Sequence, residues 1–305
     1  MRKLKIVFMG TPDFAVPSLD ILLQNHYDIA AVITAPDKPS GRGLQVNESP
    51  VKKYAREHNL TLLQPANLKD ENFLRQLQQI NPNLQVVVAF RMLPEVVWKL
   101  PALGTFNLHA SLLPQYRGAA PIHWAIINGE TQTGCTTFFL RHEIDSGDIL
   151  LSQPEPIYPS DTFGSLYERL KIKGAQLVLD TVKAIEQDNI KPIPQPLCVQ
   201  MKFAPKLNRD NTKINWQLPA HRIYNVVRGL NPIPAAWTDI FNIHMKIFDV
   251  KIIDQPSHLA PQQYITDNKT YLHVGTGDSA IAITELQAEG KKRMFIEEYL
   301  RGNKL

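Results

Sequence analysis

The first 190 residues switch repeatedly between two hydrophobic rhythms, a short apolar run and a stripe that recurs every three to four positions. Apolar runs of strand length occupy residues 3–9, 29–34, 84–90 and 105–110, with a shorter one at 60–63 and a β-branched, aromatic stretch at 134–140. Between them, residues 50–58, 70–79 and 121–128 have helical spacing, and 165–186 reads as a long amphipathic helix. Gly10-Thr11-Pro12-Asp13 reads as a turn into a helix, with Thr11 as N-cap and Pro12 in the first turn. Strands alternating with helices predict an α/β fold, an open, mostly parallel, doubly wound sheet.

The rhythm breaks near residue 191. Pro192, Pro194, Pro196 and Pro205 mark an extended connector, and Lys202, Lys206, Arg209 and Lys213 stud the stretch that follows. A helical run at 221–229 precedes short β-like pieces at 237–240, 245–253, 270–274 and 280–286, punctuated by Gly275, Gly277 and Gly290. That pattern predicts a small β-barrel. The expected domains are residues 1–190, a Pro-rich basic linker at 191–209, and 210–305.

Composition narrows the function classes. At 305 residues and 44% hydrophobic content, the chain can bury more than one sizeable core. No stretch approaches about 18 uninterrupted apolar residues, so no membrane span is expected. The start of the chain enters a strand-like run at once and has no small-residue cleavage site, so no secretory signal is expected either. Cys135 and Cys198 are the only cysteines and lack CxxC spacing, which fits a reducing cytoplasm. No His, Cys and carboxylate set has metal-ligand spacing, so no metal is expected. The net charge of +4 leans towards the C-terminal third, being +1 through residue 205 and +3 beyond it. A phosphate-rich partner would account for that lean, as would ordinary solvated charge.

Candidate chemistry concentrates in residues 105–129. Asn107 and His109, two apart on a strand, point to one face. A neutral amide donor thus stands beside a group that titrates near neutrality, where a strand ends and a ligand crevice would open. The pair suits chemistry at a carbonyl, although a turn-capping Asn and a core His would give the same letters. Asp145, in a glycine-containing loop, reads equally well as a turn residue. Gly10 lacks the further glycines of a dinucleotide fingerprint, which argues against nicotinamide binding. His123 and His142 read as structural or surface groups.

Taken in order, Asn107-Leu108-His109-Ala110-Ser111-Leu112-Leu113-Pro114 and Asp145-Ser146-Gly147-Asp148 resemble the formyltransferase family that takes a one-carbon unit from 10-formyltetrahydrofolate. The resemblance implies a Rossmann-like formyltransferase domain in which Asn107, His109 and Asp145 are catalytic. It also implies that Ser111, Leu112, Leu113 and Pro114 contact the folate, with Phe90, Arg91 and Met92 completing the pocket from the neighbouring loop. Many relatives read Ala-Tyr-Gly-x-Ile-Leu-Pro there. This chain has Ala89-Phe90-Arg91-Met92-Leu93-Pro94, one residue shorter and without the glycine.

Further pieces resemble the tRNA-directed branch of that family. Pro39-Ser40-Gly41-Arg42-Gly43 is similar to its acceptor-stem loop, which implies that Arg42 acts near the terminal base pair. Residues 210–216, 228–234 and 286–294 resemble the branch's linker and C-terminal barrel, an OB-like domain. The basic excess of this part of the chain makes Lys206 and Arg209 expected tRNA contacts, and the resemblance implies initiator Met-tRNA as acceptor and a cytoplasmic enzyme, with no obligate protein partner implied. Two rivals remain at this point: an N-formyltransferase for a nucleotide-linked amino sugar, and a non-catalytic RNA-binding protein that kept the scaffold.

Overall fold

The structure is a computed structural model, and it describes residues 2–40, 45–196, 200–253 and 258–303. The chain divides into two compact units that interleave along the sequence. The first comprises Met1–Arg117, Gly134–Glu155 and Glu168–Lys202, and the second Gly118–Thr133, Pro156–Tyr167 and Phe203–Leu305.

In the first part of the chain, strands β1 (Lys5–Gly10), β2 (Asp28–Ile33), β3 (Lys38–Ser40), β4 (Gln45–Asn47), β5 (Leu62–Leu63), β6 (Leu84–Val88) and β7 (Thr105–His109) alternate with helices α1 (Val16–Gln24), α2 (Pro50–Glu57), α3 (Glu71–Ile80) and α4 (Glu95–Trp98). There follow β8 (Arg117–Gly118), α5 (Pro121–Ile127), β9 (Gln132–Phe139), β10 (Ile149–Pro156) and α6 (Phe163–Glu186). Seven strands make one sheet in the order β10-β9-β7-β6-β1-β2-β5. The pairs from β7 to β5 are parallel, and β9 runs antiparallel to β7. β6 is buried at all five positions, as a strand covered on both faces must be. From β1 the chain winds first to β2 and later to β6 on the other side. That reversal is where an open α/β sheet presents a crevice at the carboxyl ends of its strands.

Local chemistry explains most boundaries. Ser49 Oγ accepts from Lys52 N at 3.1 Å to cap α2, with Pro50 at its first position. Asp70 caps α3 through Phe73 N at 2.9 Å, and Asn81 ends it in the left-handed region. Thr11, in contrast, does not act as a cap. Pro12 leads into a 3₁₀ turn at Asp13–Ala15, closed by Ala15 N donating to Pro12 O at 3.0 Å, and α1 begins only at Val16. One face of the sheet buries Val7, Met9, Ala31, Ile33 and Val87 against Phe73 and Leu77 of α3.

The second unit holds β11 (Phe203–Ala204), α7 (Ala220–Leu230), β12 (Ala236–Ile240), β13 (Ile243–Ile253), β14 (Tyr264–Thr266), β15 (Leu272–Gly275), β16 (Ala280–Ala288), β17 (Met294–Phe295) and α8 (Ile296–Arg301). Its six-stranded sheet runs β12-β13-β16-β15-β14, with β17 beside β16, and its pairings are antiparallel, consistent with a barrel-like fold. The core gathers Ile223, Val227 and Leu230 of α7 with Met245, Ile247, Ile281, Ile283 and Leu286 of the sheet and Tyr299 of α8.

Within the first unit, Glu155 of β10 is buried and paired with two cations of α6, Lys173 Nζ and Arg169 Nε, the latter at 2.8 Å. Burial by itself would raise this carboxyl, but Lys173 and Arg169 outweigh it and hold the group below the usual carboxylate range. A carboxyl depressed in the folded state stabilises the fold above its unfolded value, about 4.3, and loses that effect as pH falls through the folded value. Glu155→Gln should therefore melt lower than the parent at pH 7, with the gap narrowing towards about pH 3. Thermal melts at the two pH values check this, and a gap that does not change with pH would contradict it.

Candidate active site

β7 ends at the carboxyl edge of the parallel strands, and its alternation decides what faces the crevice. Phe106 and Leu108 are buried on one side, while Asn107 and His109 share the other. Asn107 stands in register with Val87 of β6 and Phe138 of β9, and His109 with Thr136. Asn107 is half-buried, and its side-chain amide makes no hydrogen bond to any described residue. An unpaired amide at a strand end is free to donate to a ligand oxygen.

His109 is held from two sides. Its ring is 6% exposed and meets Phe138 edge-on, with centroids 6.5 Å apart and planes at 86°. Nε2 lies 2.8 Å from the backbone carbonyl of Tyr116, and a carbonyl can only accept, so Nε2 carries the hydrogen. Nδ1 is left facing Asp145, with Oδ2 at 3.8 Å, within ion-pair reach but longer than a hydrogen bond. The structure thus brings Asn107, His109 and Asp145 together from β7 and from a loop 36 residues beyond His109.

The Asp145 loop is shaped by close packing. Asp145 adopts φ +51°, a left-handed conformation that aspartate tolerates better than most residues. Gly147 follows because nothing larger fits: a Cβ there would lie 1.6 Å from the carbonyl oxygen of Phe139. Arg141 closes the loop on Asp148 at 2.6 Å. A residue that sequence reasoning missed, Gln195, donates through Nε2 to the carbonyls of Asp145 and Gly147, both at 2.8 Å. Its Oε1 accepts from Arg117 Nε at 3.1 Å and Nη2 at 2.5 Å.

The loop after β7 is built on Ser111 and Thr136. Ser111 Oγ donates to Gln115 O at 2.7 Å, Thr136 Oγ1 donates to Ser111 O at 2.7 Å, and Leu113 N donates to Thr136 Oγ1 at 3.2 Å. Leu113 is buried and Leu112 half-buried, with Pro114 completing the loop. The loop after β6 leaves the adjacent parallel strand at the same edge. There Phe90 is half-buried and Met92 is 74% exposed. Arg91 is turned to its own protein: it donates to the carbonyls of Pro65 and Ala66, the latter at 2.9 Å, and burial lowers the basicity of its guanidinium.

Arg42 lies outside the described residues. The described strands before and after it, β3 and β4, pair antiparallel, and Lys52 of α2 binds both flanks, at Asp37 and, at 3.2 Å, Glu48. Lys206 and Arg209 are exposed on the second unit. The Arg209 guanidinium stands 5.1 Å from the centre of the Trp237 ring and the Lys213 ammonium 4.8 Å from it. Arg209 borders a cleft of about 360 Å³ whose walls also include Thr212, Trp237, His244 and Lys246. Among the described residues no His, Cys, Asp and Glu group can hold a metal, and no helix is long and apolar enough to cross a membrane. Cys135 is buried, which pushes its thiol up to about 12 and leaves it un-ionised near neutrality.

Residues 4–182 match the formyl transferase family, and residues 206–304 match the formyl transferase C-terminal domain. The methionyl-tRNA formyltransferase of Bacteroides fragilis is 48% identical over 307 residues, covering 98% of this chain and 95% of its own. That of Flavobacterium johnsoniae is 49% identical over 306 residues, covering 99% of this chain and 97% of its own. Among solved structures, HypX from Aquifex aeolicus in complex with tetrahydrofolic acid superposes with a TM-score of 0.67 at 18% identity. The match covers 98% of this chain and 47% of that one, about half its length, and is a likeness of fold.

Gly147 gives the site a sharp steric test. Gly147→Ala should displace the Asp145 loop and cost at least about 1–3 kcal/mol, because the clash is with backbone. Gly302→Ala, whose Cβ would meet nothing nearer than Tyr299 O at 4.0 Å, should leave the melting temperature in place. Thermal unfolding of the two variants checks the contrast.

Proposed function

We propose that this chain, which belongs to the formyl transferase family, moves the formyl group of 10-formyltetrahydrofolate onto the α-amino group of methionine on initiator Met-tRNA. The observation that carries the reading is the identity of about 48% with methionyl-tRNA formyltransferases over 98% of the chain, the C-terminal part included. The product primes translation, so the enzyme acts in the cytoplasm.

The residues fit a formyl-folate donor. The loops bearing Ser111–Pro114 and Phe90–Met92 leave neighbouring strands at one edge, where backbone groups and the leucines 112 and 113 can wall a flat heteroaromatic ring. Arg91 supports its loop from behind through the carbonyls of Pro65 and Ala66, so the pterin meets Phe90, Met92 and backbone atoms. The donor supplies an activated formyl carbon.

The chain's own groups then manage charge and one proton. Free α-amino groups have pKa values of about 8, so a neutral fraction able to attack exists at pH 7. Asn107 donates its side-chain amide to the formyl oxygen as negative charge develops there. His109, with Nε2 committed to Tyr116, exchanges its proton at Nδ1: it takes one from the attacking amine and returns it to the departing folate nitrogen. Asp145, 3.8 Å from that nitrogen, holds the charged ring in place. A new carbon–nitrogen bond forms as the old one breaks, with no covalent enzyme intermediate and no role for either cysteine. Arg42, Lys206 and Arg209 contact the tRNA, and residues 210–305 form the domain that binds it.

Three measurements test the reading. Incubated with 10-formyltetrahydrofolate, the purified protein should formylate Met-tRNA and leave a nucleotide-linked amino sugar untouched; the reverse preference would overturn it. Asn107→Ala should keep its melting temperature and lose about 100-fold or more in turnover, as loss of an oxyanion donor does. For the tRNA contacts, Lys206→Gln and Arg209→Gln should each flatten the slope of log affinity against log salt by about 0.7–0.9. Binding titrations at several salt concentrations check that, and slopes equal to the parent's would remove those residues from the interface.

A further inference from the structure

We propose that Gln195 is a positioning residue for the transfer step, because its one carboxamide ties together the two segments that grip the two nitrogens of His109. The inference deepens the function proposed above and rests on it for the reaction that is measured. On the Nδ1 side stands the loop of Asp145 and Gly147, whose carbonyls both accept from Gln195 Nε2 at 2.8 Å. On the Nε2 side stands the carbonyl of Tyr116, one peptide before Arg117, whose guanidinium donates to Gln195 Oε1 at 3.1 and 2.5 Å. The side chain therefore touches neither the reacting groups nor His109, yet sets the spacing of both of the ring's partners.

The amide is saturated by this arrangement. A primary carboxamide has two donor hydrogens and two acceptor lone pairs, and all four are used. Its orientation is also fixed, because carbonyls on one side need the NH2 group and a guanidinium on the other needs the oxygen. Asp145 holds a left-handed backbone at φ +51°, which costs a non-glycine residue roughly 1 kcal/mol, so bonds to its carbonyl and to that of Gly147 keep the loop from relaxing. The stem of Gln195 is anchored too: Ile193 and Ile149 exchange backbone hydrogen bonds at 2.8 and 2.9 Å. The proline-flanked segment thus returns to the sheet as a short rung and presents one polar side chain to the site.

No other residue reproduces the set of four bonds. Glutamate keeps the pairing with Arg117 but turns an acceptor towards the carbonyls of Asp145 and Gly147. Methionine keeps the length and loses both arms. Misplacing a proton-transfer group by about 1 Å costs on the order of 100-fold, so Gln195→Glu and Gln195→Met should lower kcat by about 10- to 100-fold. KM for Met-tRNA and for the folate should stay within about threefold, because the carboxamide's donors and acceptor are already used within the protein.

The experiment compares the parent with Gln195→Glu and Gln195→Met by steady-state kinetics, melting temperature and the ring 15N and 1H signals of His109. The proposal expects folded variants, a loss confined to kcat, and displaced His109 signals with those of His123 unmoved. A folded variant with parental kcat and parental His109 signals would overturn it, as would a lowered melting temperature with kcat intact. If the parent itself formylates no Met-tRNA, the functional reading fails. Displaced His109 signals in the variants would still support the positioning role in that case, and unmoved signals would end it.

Discussion

A single hydrogen bond, from His109 Nε2 to the carbonyl of Tyr116 at 2.8 Å, decides how the rest of the site can work. It fixes the ring's tautomer, because the carbonyl cannot donate, and so assigns the exchangeable proton to Nδ1. It also fixes the ring's angle, with Phe138 meeting its edge and Asp145 facing the bare nitrogen. Remove that bond and the imidazole is free to rotate or to present either nitrogen. The aspartate would then face whichever edge arrived.

The scaffold's contribution is to make this bond available beside Asn107. Because side chains on β7 alternate, a donor amide and an imidazole two residues apart reach the same face with no intervening loop to order. Parallel pairing with β6 brings a second loop to the same edge, and the antiparallel β9 brings Thr136 to brace the turn after Ser111. Rigid strands thus carry the reacting groups, while the loops that complete the pocket are pinned by side chains rather than left to order on binding. In the second unit, charge and aromatic surface gather around Trp237 on an independent core, which suits the larger, phosphate-rich half of the proposed acceptor.

How much of this was legible in the sequence follows from the range of the signals. The common face of Asn107 and His109 could be read at once, because strand period is local. Asp145 is brought to them by tertiary folding, and only its place in a recurrent family pattern pointed to it. β10 carries no strand signal in its letters, because Ser152-Gln153-Pro154-Glu155-Pro156 has neither apolar alternation nor a proline-free run, and an edge strand tolerates both defects. α8, six residues long, is too short to show a helical period. Gln195 was invisible for a different reason: its partners are mostly backbone carbonyls, which have no letter in a sequence. Arg91 is expected beside the pterin, and in the structure its guanidinium donates to the carbonyls of Pro65 and Ala66, which no sequence pattern announces.

The site depends on the locked ring of His109, and nitrogen-15 spectroscopy of selectively labelled histidine reads that lock directly. At about pH 9, where an ordinary imidazole is neutral, His109 should show a protonated Nε2 and a bare Nδ1. On acidification the change should occur at Nδ1 while the Nε2 hydrogen stays in place. A neutral His109 with its hydrogen on Nδ1, or an even mixture of the two tautomers, would show that the ring is not locked by Tyr116.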